Sequence, residues 1–220
     1  MLQKNTIDFL KSLKKNNNKP WFDENRKHYE SSKADFEILV QSIIDALAKL
    51  NEQYGLLKPK DCMFRINRDV RFSKDKSPYK TNLGAGFTIG GKKSNMAGYY
   101  IHIEPGKMFI GGGLWMPDAD SLKKIRQEID YDFSTFEAII LEKKFFANFG
   151  NLSTENKLVN APKGYETNNP AVEYLKLKSY TVTMPILDED VLNKSFKKKI
   201  NDQIIILNPF IEFINRAIIN

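Results

Sequence analysis

The sequence predicts an α+β fold: a central antiparallel sheet with N-terminal and C-terminal helices packed on it. Three observations carry that expectation. Apolar residues recur at helical spacing as far as Leu50, alternate with polar residues through the middle of the chain, and return to helical spacing after Pro117.

Ile7, Leu10 and Leu13 mark a short first helix, which the turn-forming tract Asn16-Asn17-Asn18-Lys19-Pro20 ends. Asp23 is expected to cap a long second helix whose stripe Phe36, Leu39, Val40, Ile43, Ile44, Leu47 and Leu50 faces the core before Gly55. From Cys62 the period becomes two, which places Phe64 and Ile66 on one face of a strand and Arg65 and Asn67 on the other. Leu83 to Ile89, Gly98 to Glu104 and Lys107 to Met116 read as three further strands. The turn sequences Gly90-Gly91-Lys92-Lys93 and Pro105-Gly106-Lys107 link them, and such short links make neighbours antiparallel.

Leu122, Ile125 and Ile129 then mark a helix, and Ser134 with Glu137 forms a capping box ahead of Ile139, Ile140 and Phe145. A polar loop from Asn151 to Thr167, a short helix after Pro170 and a β-branched strand from Ser179 to Met184 follow. Asn208 and Pro209 are arranged as N-cap and first turn of a last helix, Phe210 to Ile219. No repeat or linker interrupts the chain, so residues 1–220 are expected to form a single α+β domain.

Composition narrows the function classes. An apolar fraction of 41% and a charged fraction of 28% are ordinary for a globular chain, and the formal net charge of +7 favours acidic partners. One cysteine, Cys62, excludes an internal disulfide framework, and with no export signal the expected setting is cytoplasmic. No apolar run is long enough for a membrane span, and two histidines with one cysteine give no familiar metal-ligand spacing. The sequence names no cofactor and leaves catalysis and oligomeric state open.

The charge is concentrated. Between Lys58 and Lys80 stand eight Lys or Arg against three Asp, and Arg65, Arg68, Arg71 and Lys74 recur every third residue. Guanidinium forks hold oxyanions through paired hydrogen bonds, and interspersed carboxylates can fix their orientation beforehand. Arg65, Arg68, Arg71, Asp75, Lys76, Tyr79 and Lys80 are therefore the candidate ligand-binding residues. Asp69 is a candidate for proton transfer as well as for orienting the arginines. His102, with Tyr100 and Glu104 on its own strand face, is the other candidate general base. Gly111-Gly112-Gly113 lacks the helix that a phosphate-cradling loop requires directly after its glycines, and indicates close backbone approach or a bulge.

The run Arg65-Ile66-Asn67-Arg68-Asp69-Val70-Arg71-Phe72-Ser73-Lys74-Asp75-Lys76-Ser77-Pro78-Tyr79-Lys80-Thr81 closely resembles the signature of a bacterial and fungal family of conserved hypothetical proteins, domain of unknown function 2461. Asn16-Asn17 with Trp21-Phe22, Gly98-Tyr99-Tyr100-Ile101-His102, Gly111-Gly112-Gly113-Leu114, Ile125-Arg126, and Pro162-Lys163-Gly164-Tyr165 with Asn169-Pro170 fall in that family's order. Asn169 departs from it, standing where a histidine is expected before the proline. The resemblance implies a fold extending over nearly the whole chain and brings no activity with it.

Three readings stay open. The first is an anion site for a phosphate- or carboxylate-bearing small molecule, with or without chemistry on it. The second is a non-catalytic basic module that docks on nucleic acid or an acidic protein. In the third, the Arg-Asp loop is structural and function lies elsewhere.

Overall fold

The computed structural model describes residues 1–219. It contains nine helices and a four-stranded antiparallel sheet in the order β1 (Leu83–Phe87), β2 (Gly98–Ile103), β3 (Met108–Leu114) and β4 (Tyr180–Ile186) among the described residues. N-terminal and C-terminal helices pack on the sheet, as the pattern predicts. Backbone contacts divide the chain into two compact units. One comprises Met1–Phe87, Tyr100–Ile110 and Pro185–Asn201, the other Thr88–Tyr99, Gly111–Met184 and Asp202–Asn220.

In the first unit, α1 (Lys4–Lys15) buries Ile7, Phe9, Leu10 and Leu13. Its first turn is tied down by Asp35, whose Oδ2 accepts from the Gln3 amide at 2.8 Å and the Thr6 hydroxyl at 2.6 Å. The long helix is interrupted where the sequence predicts continuity. α2 (Lys19–Glu24) starts at Asn18, whose side chain caps the Trp21 amide, with Pro20 in its first turn. Asp23 therefore lies inside a helix, where it pairs with Lys19 and Arg26 and caps nothing. α3 (Arg26–Ala48) carries the expected stripe, buried from Phe36 to Leu47, whereas Leu50 is past the helix end and exposed.

The expected strand from Cys62 is absent. Pro59 opens a short α4 (Pro59–Cys62), Met63 makes an isolated bridge to Ala85, and the chain then leaves the sheet. The cause is the loop that follows: Ile66 accepts the Lys80 amide and Arg68 donates to Pro78, so these backbone groups pair across the loop and not along β1. Ile66 is buried as expected, but Phe64 is 43% exposed. Within this unit one sheet face is dry, with Leu83, Ala85, Phe87, Ile101, Ile103, Met108 and Ile110 all buried. The other carries Gly84 and Gly86 beside Phe64 and Tyr100, with His102 and Phe109 next to them.

In the second unit, Asp118 caps α5 (Ala119–Tyr131) through the Asp120 and Ser121 amides. The next helix breaks in two, α6 (Phe133–Ile140) and α7 (Lys143–Phe149), because Glu142 accepts the Phe145 amide and starts a new helix; Phe145 belongs to α7. α8 (Val172–Leu175) is short, and in the turn ahead of it Asn169 accepts the Ala171 amide while donating to Asp130. The glycine triplet is a close-approach site: a Cβ at Gly111 would lie 2.2 Å from the Val182 carbonyl oxygen, and one at Gly113 would lie 1.9 Å from that of Tyr180. At Gly112 it would meet Leu207 at 2.7 Å, on the last helix.

That last helix, α9 (Phe196–Ile219), runs through Pro209 without the expected break. Asn208 is not a cap; its amide oxygen accepts the Tyr99 hydroxyl at 2.8 Å. Proline leaves the carbonyl four residues earlier without its donor, and that residue, Ile205, is 59% exposed, so water can serve it.

Candidate functional site

The basic segment folds as a self-contained loop in the first unit. Its base is the antiparallel bridge between Asn67 and Tyr79, flanked by the Arg68–Pro78 and Lys80–Ile66 backbone bonds. Tyr79 anchors it from below: 6% exposed, stacked on Phe22 at 3.9 Å between centroids, its amide and carbonyl both held by the Asn17 side chain. Tyr79 is thus part of the core, and its ring faces Phe22.

Inside the loop the cations are largely spoken for. Arg68 donates through Nη1 to Asp75 Oδ2 at 2.5 Å and to the Ser77 carbonyl at 3.0 Å, and through Nη2 to Ser73 Oγ at 3.3 Å. Arg71 grips Asp69 with a two-pronged pair, Nε to Oδ1 at 3.0 Å and Nη2 to Oδ2 at 2.7 Å. Lys76 donates to the Val70 carbonyl at 3.0 Å. Asp75 also accepts the Ser77 amide and hydroxyl, at 2.9 Å and 2.6 Å, which together with Arg68 lower its carboxyl to about 2. Asp69 is lowered for the same kind of reason, chiefly by Arg71.

Arg65 and Lys80 differ. Neither has an ion-pair partner among the described residues. Lys80 is half-buried, its ammonium 5.5 Å from the centre of the Phe64 ring. Burial, and secondarily the charge of Arg65, push its pKa below the ordinary lysine value. Two like charges thus stand near each other at the base of the loop.

The next residues lead onto the open sheet face. Thr81 donates to Glu104 Oε1 at 3.1 Å, and the Asn82 amide lies 3.4 Å from His102 Nδ1. The Tyr100 hydroxyl approaches the same Nδ1 at 3.3 Å, and Nε2 faces Glu104 Oε2 at 3.3 Å. Two donors on Nδ1 and a carboxylate on Nε2 select the tautomer with its proton on Nε2. The imidazole is stacked on Phe109 at 4.9 Å and its side chain is only 16% exposed. Burial raises the Tyr100 pKa, which keeps that hydroxyl a donor.

Of the residues singled out by sequence, five (Arg68, Asp69, Arg71, Asp75 and Lys76) are brought together in the loop, two (Arg65 and Lys80) meet at its base, and His102 stands on β2 with Glu104. Sequence reasoning missed Asn82 and the clamp that Asn17 makes. The signal for Asn82 was available: Gly84 and Gly86 alternate beside it and leave room for the Tyr100 ring, whose hydroxyl would lie 2.5 Å from a Cβ at Gly84.

A family model described as conserved hypothetical protein (DUF2461) matches residues 5–213. The chain belongs to that family. Comparison with curated proteins gives no match, and neither does comparison with solved structures. In this DUF2461 chain the described residues include no helix long and apolar enough to cross a membrane and no cluster of three or more His, Cys, Asp or Glu able to hold a metal ion.

Proposed function

We propose that the chain binds a small phosphate- or carboxylate-bearing ligand at Arg65 and Lys80, with the basic loop as its scaffold. The observation that carries this reading is the unpaired state of those two cations, next to a loop in which Arg68, Arg71 and Lys76 are each matched to an acceptor. The charge of exposed Arg65 near half-buried Lys80 raises the free energy of the empty site, and an arriving oxyanion relieves it. In this reading Arg68, Asp69, Arg71 and Asp75 are positioning residues that hold the loop, and Tyr79 roots it. If chemistry follows binding, Tyr100 and His102 carry the proton and Glu104 orients the imidazole. The buried thiol of Cys62, which forms no disulfide, suits a reducing cytoplasmic setting.

Isothermal titration with inorganic phosphate, pyrophosphate and citrate tests the reading. Arg65→Ala and Lys80→Met are each expected to weaken the tightest of these about ten-fold or more, the scale of one charge-assisted hydrogen bond. Equal affinity in wild type and both variants would refute it.

A further inference from the structure

Phe72 stands at the tip of the basic loop and is 96% exposed, more than any other large apolar side chain among the described residues. The loop that carries it is held by the Arg68–Asp75 and Arg71–Asp69 pairs and by Lys76 on the Val70 carbonyl. A ring on a strapped loop loses little freedom on binding, so its exposure is suited to recognition. Cations share its loop: the Arg71 guanidinium lies 5.8 Å from the ring centre, and Lys74, two residues on, is exposed.

We propose that this tip binds single-stranded nucleic acid, one base stacking on Phe72 while flanking phosphates meet Lys74 and the Arg71 Nη1, which the Asp69 pair leaves open. The pattern of one ring beside its own cation matches a strand in which each base is attached to its own phosphate. It is repeated at Phe64, 43% exposed, with Lys80 at 5.5 Å from its centre. A protein partner would want a contiguous apolar core at its interface, and an anionic membrane would want several apolar residues inserted together. The tip offers one ring among charges. Duplex bases are already stacked on one another, which leaves Phe72 no face to meet. The site is independent of the small-anion reading, because the ring at its centre plays no part there.

The test is fluorescence anisotropy with a labelled oligothymidylate of about 20 nucleotides, on wild type, Phe72→Ala, Phe72→Leu and Phe72→Trp, with a duplex of the same length and phosphatidylserine vesicles as comparisons. Stacking predicts that alanine and leucine weaken oligonucleotide binding about 5- to 150-fold while tryptophan retains it. Wild-type affinity should fall linearly in log salt with a slope of about −0.7 per phosphate engaged. The proposal is overturned by failure of the wild type to bind, by unchanged affinity in the alanine variant, by equal binding of duplex, or by vesicle binding that leucine preserves. Pyrophosphate titration of Phe72→Ala separates the two sites, since its affinity there should not change.

Discussion

Arg68 reaches Asp75 across seven residues of loop, Nη1 to Oδ2 at 2.5 Å, and completes its fork on the Ser77 carbonyl and the Ser73 hydroxyl. An arginine so engaged serves the fold before it serves a ligand. Arg68→Ala is expected to destabilise the chain by about 0.5–1.5 kcal/mol, the scale of an ordinary hydrogen bond, since it removes the bond to the Ser77 carbonyl while exposed Asp75 keeps its bonds from Ser77. Urea unfolding measures it. Arg68→Lys should recover little, because an ammonium cannot span three acceptors fixed in a fork.

The same pair sets a pH dependence. Asp75 has a folded pKa lowered to about 2 from an ordinary 3.8, so its contribution is complete above about pH 4 and is lost as pH falls through the folded value. As pH falls through about 2 the Ser77 amide should lose its bond to Asp75, and its proton exchange should accelerate while the helices persist. In Asp75→Asn that acid step should be missing. An unchanged step in the variant would assign it to another carboxyl.

Tyr79 separates core from site. Its ring is stacked on Phe22, so Tyr79→Ala should cost about 3–5 kcal/mol, the usual penalty for emptying a buried aromatic position. Tyr79→Phe keeps the stack and the backbone clamp by Asn17, and should leave both stability and pyrophosphate affinity near wild type. A large loss of affinity in the phenylalanine variant would make the hydroxyl a ligand contact.

Two glycines should respond differently to alanine. At Gly113 a methyl would meet the Tyr180 carbonyl oxygen at 1.9 Å in a backbone of φ +120°, so neither the neighbour nor the residue can adapt. The cost should lie at or above the upper end of the about 1–3 kcal/mol typical of overpacking. At Gly84 the methyl meets the far end of Tyr100, which can swing aside. The fold should survive, while the His102 ring resonances shift because the hydroxyl at 3.3 Å from Nδ1 has moved.

The periodic parts of this chain were legible in advance. The α3 stripe, β1 to β3 and the late strand β4 each carry their period in side chains that pack locally. What misled was punctuation. Asp23 and Asn208 are good caps by type, yet Asp23 is drawn to Lys19 and Arg26, and Asn208 to Tyr99, distant in sequence. Phe64 alternates with Ile66 as a strand residue should, but the Lys80–Ile66 bond pulls the backbone out of the sheet. For the proposed site, charge density singled out the segment and could not sort its cations. Whether an arginine is matched depends on which aspartate the loop brings back to it: Arg68 bonds Asp75, while Arg65 acts on Asp69 only through its charge and Asp69 bonds Arg71.

The account turns on Arg65 and Lys80, which have no ion-pair partner among the described residues, holding the anion. Calorimetric titration of pyrophosphate into wild type, Arg65→Ala, Lys80→Met and Arg71→Ala measures that directly. Loss of about ten-fold or more in the first two variants, with little change in Arg71→Ala, is the expected result. The opposite order, with Arg71→Ala losing binding and the other two retaining it, would contradict the account.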